Sequence, residues 1–184
     1  MVIKNLSKKQ FTMEDDFFKK ASEIADEIKK LDNFLIVTNY DSDGITAGAI
    51  IATALKRLNK KFEVKILKQL YLEEIEKIKG TAKNYIFSDF GSGQLKELKE
   101  QIKKNFFVLD HHQPVPEEWP MHLNPLLFGI DGGREISAAG VAYFVAKSID
   151  EKNTDLSALA VVGAVGDMQD LDGKLFGLNQ QILS

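Results

Sequence analysis

Short apolar runs alternate with longer amphipathic stretches along this chain. Residues 14–31 carry Phe17, Phe18, Ala21, Ile24, Ala25 and Ile28 at the spacing of one helix face. Thr12, with Asp15 three residues on, is placed to cap that helix. Residues 34–38 are an apolar run of strand length, and 45–58 read as a buried helix through Ala47, Ala49, Ile50, Ile51, Ala54 and Leu55. Residues 62–67 alternate as a strand, 72–78 form a short helix, and 85–87 form another strand. A Lys/Glu-rich helix follows over 95–102, then a fourth strand over 106–109. Strands separated by helices imply crossover connections and an α/β fold on a parallel sheet.

Downstream the pattern changes. Residues 113–125 hold all four prolines and the single tryptophan, which predicts an extended surface loop. Helices are predicted over 137–149 and 156–165, separated by the polar stretch 150–155. No closing element is evident after Asp170. No repeat or interdomain linker interrupts the chain, so residues 1–184 read as one domain.

Composition narrows the possibilities. At 44% hydrophobic and 28% charged, the 184 residues have the make-up of an ordinary globular protein. The absence of cysteine excludes disulfides and thiolate metal sites and fits a reducing cytoplasm. No apolar stretch reaches membrane-spanning length and no signal-peptide pattern opens the chain, so a membrane partner is not expected. A net charge of −3 gives no basic excess of the kind many nucleic-acid binders show. Phosphate-processing enzymes can hold their positive charge as metal ions instead.

Chemistry gathers where the apolar runs end. The run 34–38 opens onto Asn39-Tyr40-Asp41-Ser42-Asp43-Gly44, and 85–88 opens onto Asp89-Phe90-Gly91. The run 106–109 opens onto Asp110-His111-His112, and a late apolar stretch ends in Gly166-Asp167-Met168-Gln169-Asp170. Ligands of parallel sheets bind beyond the carboxyl ends of the strands, where these motifs fall. Each has an ordinary explanation taken singly: an Asx-turn for Asp41 and Asp43, a turn or cap for Asp89, surface histidines, a helix end at Asp167. Together they point to a two-metal hydrolytic centre. Carboxylates suit manganese or magnesium, and imidazole tilts the preference towards manganese. The turn Gly91-Ser92-Gly93 either lets a phosphate approach the backbone at Ser92 and Gly93 or is a plain helix entry. Arg134, behind Asp131-Gly132-Gly133, is either a phosphate clamp or a solvated loop arginine.

With these motifs in order, the chain resembles the DHH phosphoesterase superfamily and, within it, the archaeal branch of the RecJ-like exonucleases. The match runs from Phe34 to Asp170. It rests on the Asp41–Gly48, Ser88–Gln94 and Leu109–Pro114 segments, then on His122–Pro125, Glu135–Tyr143 and Gly163–Asp170. The resemblance implies a doubly wound, mainly parallel α/β domain with helices on both faces and two manganese ions, or magnesium in their place. On that pattern Asp41 binds the first ion, Asp43 the second, and Asp89 bridges them. His111 and Asp167 complete the second ion's shell, Asp110 orients an imidazole, and His112 faces the phosphate. Two departures stand out. The family carries His or Asp where this chain has Asn39, a weaker ligand. The family's second, substrate-gripping domain has no counterpart in these 184 residues.

The function implied is manganese-dependent hydrolysis of single-stranded DNA or RNA from an end, slow in the absence of the second domain. A small-nucleotide phosphodiesterase of the same superfamily is the second expectation. The third is a largely non-catalytic replication scaffold that binds the GINS complex and a helicase, a role kept open by Asn39. Oligomeric state is not legible.

Overall fold

A computed structural model describes residues 12–103 and 105–183. The opening stretch without a signal-peptide pattern lies outside the described residues. Helix α1 spans Met13–Lys30. The Thr12 hydroxyl accepts the Asp15 amide, and the Asp15 carboxylate accepts the Thr12 amide, closing the expected capping box.

Strand β1 (Phe34–Asn39) leads into α2 (Ser42–Arg57), which starts three residues before the predicted helix because Asp41 caps it. Then come β2 (Phe62–Leu67), α3 (Leu72–Ile78), β3 (Asn84–Ser88), α4 (Leu95–Gln101) and β4 (Phe106–Leu109). Helices α5 (Ala138–Ile149) and α6 (Ser157–Gly166) are joined by a 3-10 turn over Glu151–Leu156.

Two expectations are corrected. The proline-rich segment does not stay on the surface: it ends in a strand, β5 (His122–Leu123), paired parallel to β4 and buried. Trp119 turns inward as well, stacking on Phe106 at 4.1 Å between centroids and donating Nε1–H to the Phe106 carbonyl. The chain also has a closing element. A short helix, α7 (Gly177–Gln181), is followed by Ile182, and Leu178 and Ile182 both enter the core.

The five strands lie in the order β2-β1-β3-β4-β5, all parallel. Alternate side chains supply two cores. Ile36, Ile86 and Phe107 pack with α1, α2 and α5 on one face. Val37, Phe87 and Val108 pack with α3 and α4 on the other. The sheet is therefore doubly wound, with helices on both faces. From β1 the chain moves outward to β2, then returns to build β3, β4 and β5 on the opposite side. The crevice at such a reversal, here between the carboxyl ends of β1 and β3, is where open α/β sheets bind ligands.

Candidate metal centre

At the end of β1 the chain turns sharply into α2. Thr38 donates its hydroxyl to the Gly44 carbonyl at 2.6 Å, and a Cβ on Gly44 would fall 2.6 Å from the Asn39 carbonyl oxygen. Only glycine fits there. Asp41 Oδ1 accepts the Gly44 amide at 2.9 Å, and Oδ2 accepts the Asn39 amide group at 3.1 Å. Asp41 is exposed, whereas Asp43 is buried beneath the turn. The two Asp43 oxygens accept the Ala138 and Ala139 amides at 2.7 and 2.8 Å, so this carboxylate sits on the positive end of α5.

Asp89 follows β3 in the left-handed region, φ 62°, a strained conformation for a residue with a side chain. It is 1% exposed, and neither carboxylate oxygen has a hydrogen-bond partner. Asp110, after β4, is the opposite case. Its oxygens accept the amides of Ser92, His111 and His112 and the Nδ1–H of His112 at 2.8 Å. The Gly132 carbonyl can only accept, so His111 Nδ1 carries the proton of that 2.6 Å bond. His111 Nε2 is left buried and unpartnered. It lies 3.4 Å from Asp89 Oδ1, 3.6 Å from Asp43 Oδ2 and 3.8 Å from Asp167 Oδ2. These are charge contacts, too long or misaligned for hydrogen bonds.

Two groups of ligand atoms, each within 4.8 Å of one another, share His111: one with Asp43 and Asp167, the other with Asp89 and His112. The structure thus brings together Asp43, Asp89, His111, His112 and Asp167. Asp41 enters neither group; it bonds Asn39, which lines the neighbouring cleft with Asp89 and His112. Ser92 faces inward, its hydroxyl meeting His122 Nε2 and the Asn124 amide at 2.8 Å, so it supports Asp110 from within. Gly93 and His112 line a cleft of about 500 Å³ beside the centre. Arg134 is exposed and makes no ion pair among the described residues.

Gln169 and Asn179 are site residues that nothing in the sequence marks. Gln169, fully buried, donates from one amide group to Asp167 Oδ2 at 2.8 Å and to the Gly132 carbonyl at 2.9 Å. Asn179 on α7 donates to Gln169 Oε1 at 2.6 Å. The carbonyl that fixes His111 and the carboxylate of Asp167 are therefore held by the same side chain. Gln169 lies inside the 166–170 motif, but a neutral amide in a polar stretch carries no charge signature.

Charge is badly matched without a cation. Burial, aided by Asp43 and Asp41, pushes the Asp89 carboxyl up to about 7 against the pull of His111. Burial pushes Asp43 up as well, despite His111 and the α5 amides. For His111, burial pulls downward, but Asp89, Asp43, the Gly132 carbonyl and Asp110 hold it up at about 10. Burial opposes ionisation of Asp110 too, yet the His112 bond, the charges of both histidines and the Ser92 amide keep its carboxyl far below the usual range. Crowded, desolvated carboxylates with unpartnered oxygens around an unpartnered imidazole nitrogen form a donor set that fits a divalent metal ion.

Fold and site together define a doubly wound α/β protein with an acidic-histidine, metal-competent centre at its topological switch point. The chain belongs to the DHH family: residues 33–166 match that family's N-terminal domain. It is 44% identical over 160 residues to an uncharacterized protein of Methanocaldococcus jannaschii, across 81% of this chain and 35% of that protein. It is 26% identical over 182 residues to the single-stranded-DNA-specific exonuclease RecJ of Bacillus subtilis, across 87% of this chain and 23% of RecJ. The chain thus spans about a third or less of the length of these relatives. Among solved structures it resembles exonuclease RecJ bound to manganese, with TM-score 0.72 and 23% identity over 90% of this chain and 46% of the other. It shares the fold of CDC45 from Entamoeba histolytica as well, with TM-score 0.60 and 17% identity over 86% and 34% of the two chains.

Proposed function

We propose that this chain is a metal-dependent phosphodiesterase that removes nucleotides from an end of single-stranded DNA or RNA in the cytoplasm. The observation that carries the reading is the set of buried, unpartnered polar atoms: both Asp89 oxygens and His111 Nε2, beside Asp43 and Asp167. Those four residues would hold one manganese ion, or magnesium. Asp41, with Asn39 and Asp89, would hold a second more weakly. A bound divalent ion supplies a hydroxide nucleophile at neutral pH and neutralises charge on the phosphoryl oxygens.

The chain's own groups do the rest. Asp110 accepts Nδ1–H of His112 and, by that bond, raises the imidazole's proton affinity. His112, exposed at the cleft, would bind a phosphate oxygen and pass a proton to the leaving oxygen. Asp43 stays fixed on the α5 amides while the substrate changes. Gly93, without a side chain, leaves room for a phosphate to approach the backbone. The names of the RecJ relatives, one specific for single-stranded DNA and one bound to manganese, support the substrate and the metal.

Hydrolysis of a short 5′-labelled single-stranded oligonucleotide tests this, with Asp89→Asn alongside. Stepwise products that require manganese and are lost in the variant are expected. Preferential cleavage of dinucleotides would shift the reading to a small-nucleotide phosphodiesterase. One observation favours a second reading. Asn39 donates to Asp41, occupying a carboxylate that the family pattern gives to the first ion. A scaffold binding GINS or other replication proteins would tolerate that loss, and the shared fold with CDC45 is compatible with it. No products at any manganese concentration would favour the scaffold.

A further inference from the structure

The described sheet ends on one side at the short, buried β5 and on the other at β2, six residues long and open. Such an edge presents a row of unpaired backbone amides and carbonyls. On one face of β2, Val64 and Ile66 are 46% and 54% exposed, beside the half-buried Phe62. On the other face lie Glu63, exposed, and Lys65, whose ammonium is 3.3 Å from Glu74 on α3.

The order of these residues selects the occupant. Side chains alternate, so an antiparallel partner keeps apolar on apolar only when residues of the same parity face each other. About a two-fold axis through Val64, Val64 meets its own copy, Phe62 meets Ile66, and Glu63 meets Lys65. Moving the axis one residue to Lys65 would oppose two lysines and set Glu63 against Leu67. Like charges directly opposite are destabilising, and opposite charges or β-branched and aromatic pairs stabilise. A two-fold axis running along the strand would put the Val64 side chains on opposite faces. In the register centred on Val64, residues 62–66 are complementary to themselves on both faces, as an isologous contact requires, and Leu67 at the strand end falls opposite Lys61. We propose that a second copy of this chain adds to β2 in that antiparallel register, extending the five-stranded sheet to ten strands. Lys65 would then lie between Glu74 and the partner's Glu63. The contact is short, so dimerisation is concentration-dependent.

Sedimentation velocity on the 184-residue chain over a range of concentrations tests this. The expected mass rises from 20.6 kDa towards twice that value. Val64→Lys, Lys65→Glu and Glu63→Lys each hold the protein monomeric, with melting temperature and circular dichroism confirming the fold. An equimolar mixture of Lys65→Glu and Glu63→Lys regains the dimer, because the cross-pairs become complementary. A wild-type chain that stays monomeric overturns the proposal. So does a dimer that the three variants leave intact, or a mixture that fails to associate.

Discussion

Asp89 combines three costs in one residue: a left-handed backbone, nearly complete burial, and two oxygens without a donor. Such strain persists where the surroundings over-determine it, which is common at sites of chemistry. Asp110, equally buried, has every oxygen engaged, and the contrast separates a candidate ligand from its support. The ligand candidates were legible because charged residues at the ends of apolar runs are conspicuous. Apart from Asp110, their supports were not. The Asp43 carboxylate is tied to amides 95 and 96 residues away, a pairing invisible in local pattern. Gln169 is the sharper case, since it holds Asp167 and the carbonyl that orients His111. Replacing it by Met keeps the volume but removes both donors. Gln169→Met should stay folded and bind manganese about 10–100-fold more weakly, as loss of a partner behind the ligands does elsewhere. Isothermal titration would read the change, and unchanged affinity would assign Gln169 to packing alone.

Among the elements, β2, α3 and β4 match their sequence-predicted ranges, and the others in the first half shift by one to three residues. Local periodicity carries most of that information. β5 escaped because two residues inside a proline-rich segment cannot show a period, and only pairing with β4 makes them a strand. α7 escaped for the same reason of length. Close approach of helices is likewise a tertiary fact. Gly163 in α6 faces α2 and α5 so tightly that a Cβ would lie 2.4 Å from Ala139 Cβ and 2.6 Å from both Asp43 Oδ1 and Thr46 Oγ1. Glycine to alanine inside a helix ordinarily gains about 1 kcal/mol. Here overpacking wins, and Gly163→Ala should cost about 1–3 kcal/mol in urea unfolding. Because Asp43 must move, manganese binding should weaken as well.

On the scale of the molecule, the reversal of strand order gathers residues from four separate segments at one crevice. That gathering also makes the fold sensitive to pH. Burial pulls His122 below its ordinary value, with Asp110 opposing. The unfolded chain then binds this proton more readily than the folded one, so the contribution to stability is present above the unfolded value of about 6.5 and is lost as pH falls towards the folded one. In metal-free protein the melting temperature of wild type should drop from pH 7.5 to 5.5 more than that of His122→Gln, and parallel profiles would remove His122 as the cause. The metal centre itself is tested most directly by titrating the metal-free chain with manganese in a calorimeter. The predicted result is one tightly bound ion, protons released in step with it from the His111 and Asp89 pair, and loss of binding in Asp89→Asn. No binding heat, or equal affinity in the variant, would contradict the assignment of Asp43, Asp89, His111 and Asp167 as a metal centre.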